Sequence, residues 1–424
     1  MSFISIGVDF GTSNTVIAAV DRSRNTHVLD IRSRSGLSRT MPSILCFRPN
    51  ERSRLDPPLS SAGSDAIEDY LGRTGPARLV QSTKSFLGAR SFVDTRIFAQ
   101  TYTLEQLIGT LLTHCYQATG ARAFIEGAPL VIGRPIKFAG PSPDDALAQT
   151  RLESAFELAG ARPTAIGLEP EAAAYAFSRT ARGRHVILVV DLGGGTSDFS
   201  VVELDADRNP PTVKPLAQTG IGIAGDRFDY GIVYNAVCPA LGLGSSFRPE
   251  SKDLPIPLWI YSSFASWHQL SMMNTPQTLR YIAEIMQSAR DSQAFEGLVH
   301  VIRNDEGFSL FQAVSRVKQQ LSSQSSSHLL FKAGPVTIDR VVHRSEFEEW
   351  IAPDLAAITA TADVCLESAG VRASDVTRVF TTGGTSLVPA VREAFAKKFG
   401  AEKLIGGDEF ASVAQGLALM GCPA

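Results

Sequence analysis

Polar positions are almost missing from the start of the chain, where ISIGVD (4–9) leads through Phe10-Gly11-Thr12-Ser13-Asn14 into a second apolar run, TVIAAVD (15–21). Runs that are apolar on both faces and joined by a glycine turn predict a hairpin covered on both sides by helices. The pattern returns as ILVVDLGGGTSD (187–198), which continues into FSVVELD (199–205). In each copy an aspartate, Asp9 or Asp191, closes the first run two residues before the first glycine. Two copies of one pattern predict two similar α/β lobes facing each other.

The remaining periodicity fills in these lobes. APLVIG (128–133) reads as a strand ending at Gly-Arg-Pro, and helices are predicted over 144–159 and 168–179, the latter with Pro170 in its first turn. Val376–Thr381 reads as a buried strand. Gly383 and Gly384 then turn the chain into an amphipathic helix that Gly400 stops. A last helix is predicted to open at Asp408, a good N-cap residue. Residues 48–66 are polar and rich in Pro and Ser, which predicts an exposed insertion. Residues 242–312 are less regular, with helices predicted over 276–295; Trp259, Trp267, Met272 and Met273 are expected to pack within that segment. The division expected is lobe I over 1–183, with an insertion at about 38–100, and lobe II over 184–424, with an insertion at about 235–314.

Composition narrows the function classes. Over 424 residues, 44% apolar and 20% charged is an ordinary globular balance. The net charge of −3 carries no basic excess for nucleic acid. No apolar run is long enough to span a membrane, and the N-terminus has no basic region ahead of an apolar one, so a cytoplasmic protein is expected. Cys46, Cys115, Cys238, Cys365 and Cys422 lie far apart without metal-ligand spacing and read as reduced thiols.

The two hairpins carry the candidate chemistry. A tight turn of glycine and small hydroxyl residues exposes backbone N–H groups to an anion, and an adjacent Asp can hold a divalent cation through water. Two such turns approaching from opposite lobes would grip a polyphosphate from both sides. Neither is a Walker loop, and the G-x-G-x-x-G of dinucleotide sites is absent.

The sequence resembles the nucleotide-binding domain of the seventy-kilodalton heat-shock chaperones, in the actin, sugar-kinase and heat-shock superfamily. IGVDFGTSNTVIAAV and VVDLGGGTSDFSVVE are similar to its two phosphate motifs, IGLEPEAAAYAF to its connecting helix, FTTGGTSLVPAV to its adenosine motif and GDEFASVAQGLAL to its closing helix. The 242–312 segment looks divergent from the main chaperones, so the resemblance implies a YegD-like branch. The resemblance implies two actin-like, ribonuclease-H-like lobes around a nucleotide cleft, ATP or ADP with Mg2+ as ligands, and K+ as a further candidate. Asp9 and Asp191 would hold Mg2+, with Gly11, Thr12, Ser13, Asn14, Gly193, Gly194, Gly195 and Thr196 on the phosphates. Lys84, Glu169, Asp191 and Asp198 would be catalytic, and Pro135 a proline switch. Gly225, Lys318, Ser322, Gly383, Gly384 and Asp408 would hold the nucleoside. Taken singly, Lys84 is equally a solvated cation, Glu169 a helix N-terminal acid and Asp408 a plain N-cap.

Three positions depart from the family pattern: Ser315 and Gln319 stand in place of Glu and Arg, and Leu387 in place of the Arg after the adenosine glycines. No peptide-binding domain is expected. The expectation is a slow, Mg2+-dependent ATPase related to chaperones, whose lobes close on nucleotide and whose client or co-chaperone the sequence does not name. The alternatives are a small-molecule kinase of the same fold and a nucleotide-gated, filament-forming module.

Overall fold

The computed structural model describes residues 3–50, 56–125, 127–139, 142–249, 251–304, 306–405 and 411–422. Strands β1 (Phe3–Phe10) and β2 (Asn14–Asp21) form the first hairpin, with Ile6, Val8, Phe10 and Ile17 fully buried. β3 (Thr26–Val28) extends the sheet antiparallel beyond β2. On the other side β4 (Leu130–Arg134) and β5 (Ala165–Leu168) add in parallel, giving the order β5-β4-β1-β2-β3. Helices α1 (Leu104–Thr119) and α2 (Asp145–Leu158) cover one face of this sheet. α1 is started by a Thr103–Gln106 capping box, and α2 by the Asp144 side chain.

After α3 (Glu169–Ser178) the chain builds the same sheet again. β6 (Arg184–Leu192), β7 (Ser197–Asp205) and β8 (Thr212–Ile221) are successive antiparallel neighbours. β9 (Arg378–Thr382) and β10 (Leu404–Ile405) return in parallel, so the order β8-β7-β6-β9-β10 repeats the first. Around it lie α4 (Gly225–Ile232), α5 (Gly307–Leu321), α6 (Arg344–Ala369) and α7 (Pro389–Phe399). The helix expected directly after Gly383-Gly384 is delayed by a 3-10 turn, Gly384–Leu387, until Pro389 supplies its first turn.

The last helix, α8 (Ser412–Met420), crosses back to pack on β1, β2, β4 and α3. Its crossing with α3 is so close that a Cβ on Gly416 would fall 1.8 Å from the carbonyl oxygen of Ala172. Ala172, Ala173, Ala174, Val413 and Leu417 share one core with Ile187, Val189 and Val202 of the second sheet. Thus α3 and α8 fill the space between the two sheets. The predicted start of α8, including Asp408, lies outside the described residues.

Two inserts complete the molecule. The polar 48–66 stretch is not loop throughout, because Leu59–Ala62 joins Ile44–Arg48 and Arg78–Gln81 in a small sheet and Gly63 starts a helix. In the other insert, the helices expected over 276–295 are Pro276–Met286 and Ser292–Arg303, the second running past the expected end. Trp267 and Met273 pack as expected; Trp259 is 45% exposed but sets its ring 5.7 Å from that of Tyr281 in the same insert, and Met272 is 65% exposed. The reason for Trp259 is positional: the helix Leu258–Ala265 buries Ile260, Tyr261, Phe264 and Ala265, and Trp259 falls beside that stripe. The inserts meet where Tyr70 packs edge-on against Phe308, with ring centroids 5.1 Å apart, and Trp267 against Phe308 at 5.8 Å. All five thiols are free, and no helix among the described residues is long and apolar enough to cross a membrane.

Candidate functional site

The two hairpin turns are built alike. The Gly11 N–H donates to the Asn14 carbonyl at 2.9 Å, and the Gly193 N–H to the Thr196 carbonyl at 3.0 Å. Phe10 pairs with Thr15 and Leu192 with Ser197; one step back, Asp9 faces Val16 and Asp191 faces Asp198. Asp9 and Asp191 therefore hold the same register position in the two lobes. A Cβ on Gly11 would fall 2.3 Å from the Asn14 carbonyl oxygen, so that turn admits glycine. The turns also meet, since a Cβ on Gly194 would fall 3.0 Å from Ser13 Oγ. Ser43 braces the first turn from below: its N–H donates to the Ser13 carbonyl at 2.8 Å, and its hydroxyl to the Gly11 carbonyl at 2.8 Å.

Charge converges beneath these turns. Lys84, buried in the 3-10 turn Thr83–Phe86, donates to Glu169 Oε1 at 2.6 Å, and Glu169 is the first residue of α3. Burial opposes the ammonium charge, but Glu169, Asp9 and Asp191 outweigh it and raise the Lys84 pKa. Burial, reinforced by Glu169, pushes the Asp9 carboxyl up to about 7, and burial with Glu169, Asp198 and Asp9 pushes Asp191 up to about 8. Asp198 rises to about 6, chiefly through burial, although the Thr196 hydroxyl donates to it at 2.9 Å. One buried lysine thus serves four carboxylates. No three acidic, His or Cys side chains among the described residues converge into a direct metal cage. Pro135 sits in a turn held by Arg134, whose guanidinium donates to the carbonyls of Pro135 and Ile136 and to Gln149.

On the second lobe, Lys318 of α5 donates to the Gly225 carbonyl at 3.0 Å and to Asp229 Oδ2 at 2.8 Å. A Cβ on Gly225 would fall 2.7 Å from Thr385 Oγ1, and Thr385 donates to the Gly193 carbonyl at 2.8 Å. Gly225, Lys318, the Gly383-Gly384 turn and the second phosphate turn are thereby brought together. Gly383 has φ +82° and lies so close to Leu192 that a Cβ would fall 2.2 Å from its carbonyl oxygen. Ser322 is not brought in through its hydroxyl, which bonds back to the Lys318 carbonyl at 3.3 Å. Gln319 and Leu387 are exposed. Asp229, Thr385 and Ser43 were not singled out from sequence. Asp226 and Asp229, spaced three apart at the start of α4, carried a readable signal. Ser43 acts only through the tertiary fold and carried none.

A sheet made twice, with both central hairpins offering a glycine turn and an aspartate to one cleft, defines the actin-like, two-lobed class of fold. A family model described as Hsp70 protein matches residues 5–234 and 302–422, and the chain belongs to that family. The chaperone protein DnaK of Deinococcus proteolyticus is 24% identical over 403 residues, covering 92% of this chain and 54% of the relative. The DnaK proteins of Deinococcus deserti and Deinococcus radiodurans are similar at 24% and 23%. The chain spans about half the length of the curated relatives it matches. The stretch left unmatched, 235–301, holds most of the helical second insert.

Proposed function

We propose that this chain binds ATP or ADP with Mg2+ between its lobes, hydrolyses ATP slowly and closes its lobes on the triphosphate. The carrying observation is the equivalent register of Asp9 and Asp191 behind two glycine turns that meet at Ser13 and Gly194. The site suits a divalent cation, because both carboxyls are driven toward protonation by burial and by the nearby Glu169 carboxylate, a penalty that a cation would relieve. With no direct cage among the described residues, Asp9 and Asp191 would hold Mg2+ through its waters, and the ion would neutralise phosphate charge.

The chain's own groups then divide the work. Backbone N–H groups of Gly11 to Asn14 and Gly193 to Thr196, with the hydroxyls of Thr12, Ser13 and Thr196, bind phosphate oxygens. Lys84, oriented by Glu169, stabilises charge at the γ-phosphate, and the remaining Glu169 oxygen orients the attacking water. Asp198 is a candidate for K+ beside that water. Gly225, Lys318, Gly383, Gly384 and Asp408 line the nucleoside side, with Ser322 at its edge. The lobes are taken as 1–183 and 184–424, with inserts at about 38–100 and 235–314, and a YegD-like branch and cytoplasmic setting accompany this reading. Any chaperone role would run through a client or co-chaperone of unassigned identity. Phosphate release from ATP, measured with Mg2+ and with excess chelator, is the test; equal rates in the two conditions would sink this reading.

A further inference from the structure

A second cavity, of about 760 Å3, lies within the first lobe, where its lining residues Met41 and Pro42 pair with Thr15 and Asn14 beside the first phosphate turn. It is bounded by the hairpin Ile31–Ser33/Gly36–Ser38, the edge strand Leu59–Ala62, the start of the following helix and the last turns of α1. No residue assigned to nucleotide lines it.

Its chemistry is specific. The cations Arg34 and Arg48 are committed to Asp69, at 2.8 and 3.2 Å, and Asp65 accepts from the Arg34 N–H at 2.9 Å. The lining therefore offers little net field to an anion. Three of its hydroxyls have spent their protons: Ser33 donates to the Gly36 carbonyl, Ser38 to the Thr40 carbonyl and Ser61 to Asp69. What each keeps for a ligand is lone pairs. Asp30, just ahead of the strand Ile31–Ser33, and Arg32 within it form no ion pair among the described residues and supply one acceptor and one donor group. His114, hydrogen-bonded to Ser60 at 3.0 Å, adds a ring that either donates or accepts. Among the described residues no Phe, Tyr or Trp lines the cavity, so the His114 ring is all that a nucleobase could stack on.

A ligand that fits must donate at many points, accept at a few and carry no net charge. We propose that this cavity is a second small-molecule site, for an uncharged polyol of sugar size. Its volume lies within the range of small-ligand sites.

Met41 lines the cavity, whereas Met272, Met273 and Met286 lie in the other insert. Methyl NMR of the full chain labelled at methionine therefore reports binding by location, with ADP and Mg2+ present throughout. Glucose and maltose are expected to shift Met41 saturably in the millimolar range while those three signals stay in place. Glucose 6-phosphate is expected to bind several-fold more weakly than glucose. Ser38→Trp, at an exposed lining position, should abolish the Met41 shift, and Arg32→Ala should weaken it several-fold if the tryptophan variant fails to fold. No saturable shift with either sugar, tighter binding of the phosphorylated probe, or full binding in a folded Ser38→Trp protein would each overturn the assignment.

Discussion

Replacing Lys84 with alanine separates its chemical role from its structural one. Its ammonium lies 2.6 Å from Glu169, and the pair keeps only 10% and 14% side-chain exposure. Removing it leaves Asp9, Glu169, Asp191 and Asp198 without the lysine that serves them all. A unit charge about 4 Å from another, at an effective dielectric of about 20, contributes about 4 kcal/mol. Single contacts to charge that develops during reaction are worth about 2.7–4 kcal/mol, or ~10²–10³ in turnover. ATP affinity should fall less than about tenfold, or 1.4 kcal/mol, because the hairpin donors are untouched. Stability should also fall, since breaking a fully buried pair costs about 3–5 kcal/mol and this one is nearly buried. The double variant Lys84→Ala/Glu169→Gln removes the stranded charge and should regain stability without regaining turnover. Single-turnover hydrolysis, nucleotide titration and thermal melts of the two variants read these quantities separately. Unchanged turnover in Lys84→Ala would remove it from the chemistry, and turnover recovering together with stability in the double variant would make the pair a strut.

Three further outcomes follow from the same geometry. Mg2+ binds the ionised forms of Asp9 and Asp191, whose metal-free carboxyls sit at about 7 and about 8, so affinity should rise with pH to about 8 and then level; calorimetry in two buffers should show proton release, which Asp191→Asn reduces. Gly416→Ala drives a Cβ into the Ala172 carbonyl and should cost at least ~1–3 kcal/mol, visible as a lowered melting temperature. With Gln319 and Leu387 in place of two arginines, ATP affinity should be micromolar with modest preference over GTP; Leu387→Arg should tighten ATP by ~0.5–2 kcal/mol in a titration, and no change would remove position 387 from the base pocket.

The parts of the site legible in sequence were those written in consecutive residues. The hairpins announce themselves because apolar runs, glycines and aspartates lie side by side, and their register followed. Lys84 and Glu169 needed the family pattern, because a lone lysine and a helix-starting glutamate have commoner uses. Ser43 and Thr385 were invisible, since each acts through a hydrogen bond to a chain segment remote in sequence. In the second insert, helical phase decided the outcome: one step around the helix separates buried Ile260 from exposed Trp259, a difference that residue type alone does not encode.

The return of α8 onto the first sheet has a consequence for how the chain is assembled. β1 is made before the other elements described, yet its own Gly7 is covered by Ala414 and Ala418, some four hundred residues further along. The face of the first sheet turned away from α1 and α2 therefore stays uncovered until residues 412–420 have been made, although the second sheet draws all five strands from residues 184–405. Contacts of such sequence separation are slow to form, because a long loop must be closed before they stabilise anything. Until then the underside of β1 and β2, with Val16, Ala18 and Val20, stays open to solvent. During synthesis it is the lobe begun first that remains unfinished longest, and its uncovered strands are the surface most exposed to aggregation.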